Sequence, residues 1–445
     1  MNKLLVLFSF LLLTGCKQFL DVQPEQQVDE SQAITNASTA EAAVNGLYNR
    51  LGNDGYYGSN FPALSYLSGG DVQWTGSQGA PQEITSRKLT ADNGYVGSGW
   101  SAIYRTILAA NYLLETVPPL NDPLLTADRK NQILGEAYAI RALSYFDLAR
   151  GWGGVQLILK PTYTPQDNTG ISRSSLDETY AQVLKDLTAA EPLLGNTTNR
   201  NRVTKKTVYA LRARYHLYRQ EWDKAEEYAT KLIDDASYKL VKPYSAFFAN
   251  NAVNTTESVF EIAYSNSFKN GHSNWWLPPA LSGRREWAPS AQLVTLLNDP
   301  KVGGNRKELI AQTAPPGNLW YGKLYYRNPI GTDPAYLIRI AELYLIRAEA
   351  RAQLGNTTAA LADLNAIRDR AGVPLSTAST KETLVQAVED ERRVEFAFET
   401  DRWFDLGRKG RIGTVLNITD PNKYVLPIPN SEILADKALT QNKGY

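Results

Sequence analysis

The sequence predicts a mostly α-helical protein, a scaffold of paired helices interrupted by long, loop-rich insertions. Three observations carry this. Apolar residues recur at spacings of three and four, as in Trp100, Ile103, Ile107, Ala110 and Leu114, which is one face of a helix. Two blocks, 205–236 and 340–371, repeat one another at an offset of 135 residues. Ala210, Ala213, Leu217, Ala225, Ala229 and Leu232 match Leu345, Ala348, Ala352, Ala360, Leu364 and Ile367. Each block reads as two helices joined by a short polar turn, "RQEWD" or "LGNTT". Small residues at the crossing points let helices pack closely, as in hairpins of tetratricopeptide type. Third, the stretch from about 238 to 335 is rich in Pro, Gly, Asn and aromatic residues and shows little periodicity. Connections of that length are usually functional.

The elements follow in order. Lys3 precedes an apolar run, Leu4 to Leu13, broken only by Ser9. The run is shorter than the roughly 20 apolar residues of a membrane-spanning helix and has the flanks of a secretory signal peptide. Its end, Leu13-Thr14-Gly15-Cys16, contains the only cysteine and resembles the bacterial lipobox. That resemblance implies cleavage after residue 15 and lipidation of Cys16. Stable anchoring needs more than one acyl chain, which bacterial lipoproteins supply. No other stretch reaches 18 apolar residues, so residues 16–445 are expected as a single soluble domain outside the cytoplasm.

Residues 17 to 40 read as an extended leader, with helix expected from Ser38. A glycine-rich loop region with aromatic rings runs from about 52 to 82. Helices are expected around "GWSAIYRTILAANYLLETVPPL" and at roughly 127–150 and 174–195. The repeat scaffold spans about 127–236 and 336–372, with the loop-rich insertion at about 238–335 between its halves.

Composition narrows the function. Lys plus Arg is 47 and Asp plus Glu is 46, so no net field favours nucleic acid. There are 25 Tyr and 9 Trp against two His and one Met. No HExxH or CxxC spacing supports a transition-metal site, and no GxSxG elbow appears. "GYVGSGW" lacks both the GxGxxG order and a preceding strand. The sequence therefore assigns no catalytic residue, metal or cofactor. A calcium site needs no fixed spacing and would leave no signature.

Five segments together carry a resemblance: "GEAYAIRALSYFDLARGWGGVQLI", "YLIRIAELYLIRAEARAQLGN", "ALADLNAIRDRAGV", "ERRVEFAFETDRWFDLGR" and the terminal "YVLPIPNSEILADKALTQNKGY". With "CKQFLDVQP" at the expected mature start, the chain resembles the SusD/RagB family from Cys16 to Tyr445. The resemblance implies a surface-exposed outer-membrane lipoprotein that binds an oligosaccharide or polysaccharide. It also implies a partner, a SusC-like TonB-dependent transporter to which the glycan is delivered, and no bond-breaking step. A surface glycoside hydrolase and a peptide-binding tetratricopeptide scaffold are the alternatives.

The residues sort accordingly. Glu349, Arg368, Arg370, Glu391, Arg392, Glu395, Arg402 and Asp405 are charges among apolar helical residues, expected in buried ion pairs. Glu391 and Glu395 share a helix face, the sharper reading being a carboxylate pair flanking a sugar. Trp100, Trp152, Trp222 and Trp403 are expected in the core. Trp74, Trp275, Trp276, Trp287 and Trp320 lie in irregular polar sequence, where rings can be presented to the apolar face of a sugar. Asp71, Gln73, Asn274, Arg284 and Arg285 are expected to take the hydroxyls.

Overall fold

The computed structural model describes residues 33–445. Cys16, the run before it and most of the expected leader lie outside the described residues. The chain first forms α1 (Ala37–Leu51), α2 (Asn60–Ser68), the short strand β1 (Val72–Trp74) and α3 (Gly79–Thr85). The expected loop region after α1 is therefore largely regular, beginning with a π-helical turn over Asp54–Gly58. Three-residue strands and one-turn helices are too short to show a period.

Two long helices follow, α4 (Gly94–Thr116) and α5 (Ala127–Trp152). Asn93 accepts from the Tyr95 and Val96 amides at the start of α4, so "GYVGSGW" is a helix start. Thr126 caps α5 through the Arg129 amide, and Gly153 ends it at φ +82, a conformation that favours glycine. Next come α6 (Leu176–Ala190), α7 (Lys205–Tyr218) and α8 (Trp222–Ile233). Ser175 and Glu178 form a capping box at α6, satisfying amides that the first turn leaves free.

The insertion contributes β2 (Ser258–Ile262), α9 (His272–Trp276), β3 (Trp287–Pro289), α10 (Ala291–Asn298), β4 (Ile310–Gln312) and β5 (Trp320–Gly322). After it come β6 (Ala335–Arg339), α11 (Ile340–Gln353), α12 (Thr357–Ala371), α13 (Lys381–Glu395), α14 (Arg402–Arg408), α15 (Ile412–Leu416) and α16 (Asn430–Ala435). The strands form three antiparallel pairs, β1 with β3, β2 with β6, and β4 with β5. The insertion is thus more ordered than its sequence predicts.

The repeat blocks are separated in sequence but adjacent in space, because α8 packs on α11. All twelve of the matched small and apolar positions are at most 1% exposed. Arg351 crosses this seam to Glu226 at 2.6 Å, and Arg214 on α7 pairs with Glu342 on α11.

A buried ion-pair cluster ties the insertion to the scaffold. Arg339, the last residue of β6, donates to Glu257 at 2.8 Å, Glu395 at 2.9 Å and Glu399 at 2.6 Å. Arg370 reaches Glu257 and Glu395, Arg306 reaches Glu395 and Glu391, and Arg368 pairs with Glu391. Four guanidiniums thus face four carboxylates. Such charges are tolerated inside because each has partners. The other charges expected to be paired also find partners: Glu349 with Arg408, Arg392 with Asp405, and Arg402 with Asp71.

One expected core ring is displaced. Trp100, Trp152 and Trp403 are buried, but Trp222 is half-buried at the first turn of α8. It lines a cleft of about 600 Å³ shared with α11, α13 and α14. Its spacing to Ala225 and Ala229 is helical, yet the packed layer ends before it.

Candidate binding site

The short β1–β3 ladder sets Trp74 directly opposite Trp287. Both side chains of such a pair project to one face of the strands, and two further rings close over them. Trp275 on α9 stacks on Trp287, with centroids 5.6 Å apart and planes 26° apart, and lies 6.2 Å from Trp74. Trp276 meets Trp287 edge-on at 5.6 Å. Four of the five loop tryptophans therefore form one cluster, capped from the core side by Tyr66 and Phe398.

Their exposure separates them. Trp276 and Trp287 are 1% and 0% exposed, so the expectation that they are presented to solvent fails. They are the floor of the cluster, where burying large rings stabilises the insertion. Trp74 is also buried, at 8% exposed, and against expectation shows little of its ring, whereas Trp275 is half-buried. Trp320, on β5, is half-buried beside the cluster, its carbonyl accepting from Arg285 Nε at 2.8 Å.

The polar candidates divide in the same way. Asp71 is buried and held by Arg393 at 2.5 Å and Arg402 at 3.4 Å. An acid engaged by two guanidiniums inside the protein is a structural anchor, and the expectation that it takes sugar hydroxyls is corrected. Gln73 is exposed on the opposite side of β1 from Trp74, with its amide donating to the Pro289 carbonyl at 3.3 Å. Asn274 supplies its backbone carbonyl to the Arg284 amide at 2.7 Å. Arg284 is exposed, stands 5.2 Å over the Trp275 ring and pairs with Glu286 at 2.6 Å.

Two groups belong here that the sequence reading missed. Glu286 is mostly buried beside Trp74. Tyr95, at the start of α4, has its hydroxyl pushed up to about 12 by burial, with Glu286 adding to the shift and Arg284 opposing it. Neither carried a signal, since one sits in a loop and the other at a helix end. Gly76 is required by the crowding: a Cβ there would stand 2.4 Å from Trp74 Cζ2 and 2.8 Å from the Glu286 carboxyl carbon. The arrangement offers partly accessible indole faces rimmed by a guanidinium, a carboxylate and a phenol, which suits stacking and hydrogen bonding.

The sharper carboxylate reading does not match the geometry. Glu391 and Glu395 have side chains 1% and 0% exposed and are engaged by arginines. His272 is fully buried at the start of α9, its Nε2 donating to the Tyr57 carbonyl at 2.9 Å. Among the described residues no group of three or more His, Cys, Asp or Glu is placed to hold a metal ion. None of their helices is long and apolar enough to cross a membrane.

Comparison with known proteins fixes the lineage. The family model described as "Starch-binding associating with outer membrane" matches residues 18–217, and the SusD family model matches residues 321–416. SusD-like protein P38 of Formosa agariphila is 27% identical over 99% of this chain and 98% of its own. A SusD superfamily protein from Bacteroides vulgatus superposes with a TM-score of 0.81 at 27% identity, covering 93% of this chain and 100% of its own. The chain belongs to the SusD/RagB family. The fold is shared more widely still: a laminarin-binding SusD-like protein gives a TM-score of 0.81 at 23% identity, covering 93% of this chain and all of its own. SusD/RagB membership places the protein in a glycan-binding family associated with the outer membrane.

Proposed function

We propose that this protein is a lipid-anchored, cell-surface member of the family that captures an oligosaccharide or polysaccharide and passes it to a SusC-like TonB-dependent transporter. The observation that carries the reading is the half-buried Trp275, resting on the buried Trp287 and flanked by Trp74 and Arg284. The part of the indole left accessible beside Arg284 suits the apolar C–H face of a sugar ring, and the polar rim suits the hydroxyls. A preformed floor removes much of the ordering cost that would otherwise weaken binding. Trp74, Trp275, Arg284, Glu286 and Tyr95 are the proposed contacts, with Asn274 and Trp320 at the edge and Gln73 on the far side of β1. Capture needs no bond to break, and no catalytic role is assigned to any of these residues.

The anchor at Cys16 and the transporter partner rest on the lipobox and on the family resemblance. The test of capture is affinity electrophoresis of the soluble form lacking residues 1–16 through a panel of polysaccharides. The known laminarin-binding protein of the same fold puts laminarin among the first to try. Retardation that disappears in Trp275→Ala supports the platform. Full retention of binding in that variant would move the site elsewhere.

A further inference from the structure

Of the 26 arginines in the chain, 24 engage the guanidinium in a hydrogen bond or an ion pair with described residues. The two that make neither are Arg50, at the end of α1, and Arg105, on the outer face of α4. They are 55 residues apart in sequence, yet they line the same cavity, of about 220 Å³, with Asn49, Asn53, Ala102 and Phe268. Both guanidiniums are exposed, as are both asparagines. In a protein that otherwise engages its arginines, two unengaged ones sharing a cavity are a site prepared for an anion.

The cavity borders the tryptophan platform. The chain that carries Phe268 runs directly into α9 and Trp275. Gly271 sits between the two features: a Cβ on it would stand 3.3 Å from Asp54 Oδ1 and 3.5 Å from Trp275 Nε1. Asp54 in turn follows Asn53, whose side chain accepts from the Gly55 amide at 2.9 Å. Asp54, the acid nearest Arg50 in sequence, forms no ion pair with either arginine among the described residues. A chain molecule lying on Trp275 would pass Asp54 and reach the arginines within the same strip of surface. Guanidinium forks match planar carboxylates and sulfate oxygens through paired N–H donors. Asparagine amides and the Phe268 ring, stacked on Tyr264 at 5.1 Å, are the usual company of a sugar.

We infer that Arg50 and Arg105 bind an anionic substituent, a sulfate ester or a uronate carboxylate, on the glycan held at Trp275. This rests on the capture reading above and narrows its substrate class to acidic polysaccharides.

The experiment pairs each anionic polymer with its neutral counterpart: dextran sulfate with dextran, and polygalacturonate with its methyl ester, with laminarin as a further neutral polymer. Retardation is measured for the wild type, Arg50→Gln/Arg105→Gln, Trp275→Ala, and the charge-matched surface control Lys185→Gln/Lys239→Gln. All the substituted arginines and lysines are exposed, so the variants should fold. The expected result is at least a tenfold preference for one anionic polymer, lost in the arginine pair and in Trp275→Ala and kept in the lysine control. Whether dextran sulfate or polygalacturonate is preferred identifies the anion. Neutral polymers bound through Trp275 without any anionic preference would overturn the inference and leave the capture reading standing. Equal weakening in the lysine control, or anionic binding that survives Trp275→Ala, would also overturn it. Failure to retard in every polymer would overturn both.

Discussion

Trp275 lies against Trp287 at 5.6 Å with the two rings 26° from parallel, so an accessible indole rests on one with no exposed surface. The pair assigns opposite consequences to two chemically identical substitutions. Trp275→Ala should weaken glycan binding at least about tenfold, since a ring contact of this kind is worth roughly 0.5–1.5 kcal/mol beyond its buried area. Its melting temperature should change little. Trp287→Ala should lose about 3–5 kcal/mol of stability, as large core truncations do. Calorimetry and denaturant unfolding of both variants decide it, and equal stability losses would make Trp275 a staple.

The ion-pair cluster should be intolerant of single removals. Arg370→Met leaves Glu257 and Glu395 short of a partner inside the protein, which costs about 3–5 kcal/mol. Lys224→Met breaks the exposed pair with Glu227 and should leave stability nearly unchanged. Urea unfolding midpoints give the comparison; similar costs for the two variants would count against a special role for the cluster.

Stability near neutral pH should conceal two opposed titrations. Burial lowers the His272 pKa to about 4, only partly offset by the bond to the Tyr57 carbonyl. Its contribution is present above the unfolded value near 6.5 and is lost as pH falls through 4. Burial raises Glu399 to about 7 despite its bonds to Arg339. Its contribution is full below the unfolded value near 4.5 and is lost as pH rises through 7. Each is worth roughly 3 kcal/mol, so they should nearly cancel between about pH 4.5 and 6.5, where both slopes act. His272→Phe should then lose stability with rising pH across that window, and Glu399→Gln should gain it. Parallel slopes in the two variants would contradict the assignment.

The anchor is tested by Cys16→Ala, which should abolish fractionation with the outer membrane while leaving the soluble protein folded. Detergent-dependent membrane association that persists in this variant would defeat the lipoprotein proposal.

Delivery to a transporter requires a lasting complex, and obligate interfaces commonly bury more than about 2,000 Å². Detergent-solubilised protein from cells grown on the inducing glycan should co-purify with a β-barrel of much larger mass, held through the helical repeat face. Recovery as a free monomer would argue against it.

Much of the scaffold was legible. The period of α4 is a local signal, and the repeat blocks showed their kinship because small residues mark each crossing. What the sequence could not show was direction. An indole in irregular sequence reads the same whether it faces solvent, as part of Trp275 does, or the core, as Trp276 and Trp287 do. Asp71 looked like an exposed loop acid because its partner, Arg393, is 322 residues away. Trp222 kept helical spacing but lies where the packed layer stops. The pairing of β1 with β3, which assembles the platform, joins three residues to three and leaves no period to read.

The cluster of arginines and glutamates around Arg339 has a consequence for how such a protein can change. None of its members lies on the platform, and the side chains that would meet a ligand's polar groups, such as Arg284, Arg50 and Arg105, are exposed. Substitutions at exposed positions usually shift stability by less than about 0.5 kcal/mol. Selectivity is therefore free to drift, or to be engineered, by exchanging rim residues one at a time. The keel that fixes the loops stays intact, and one chassis can be retuned from polymer to polymer without being rebuilt.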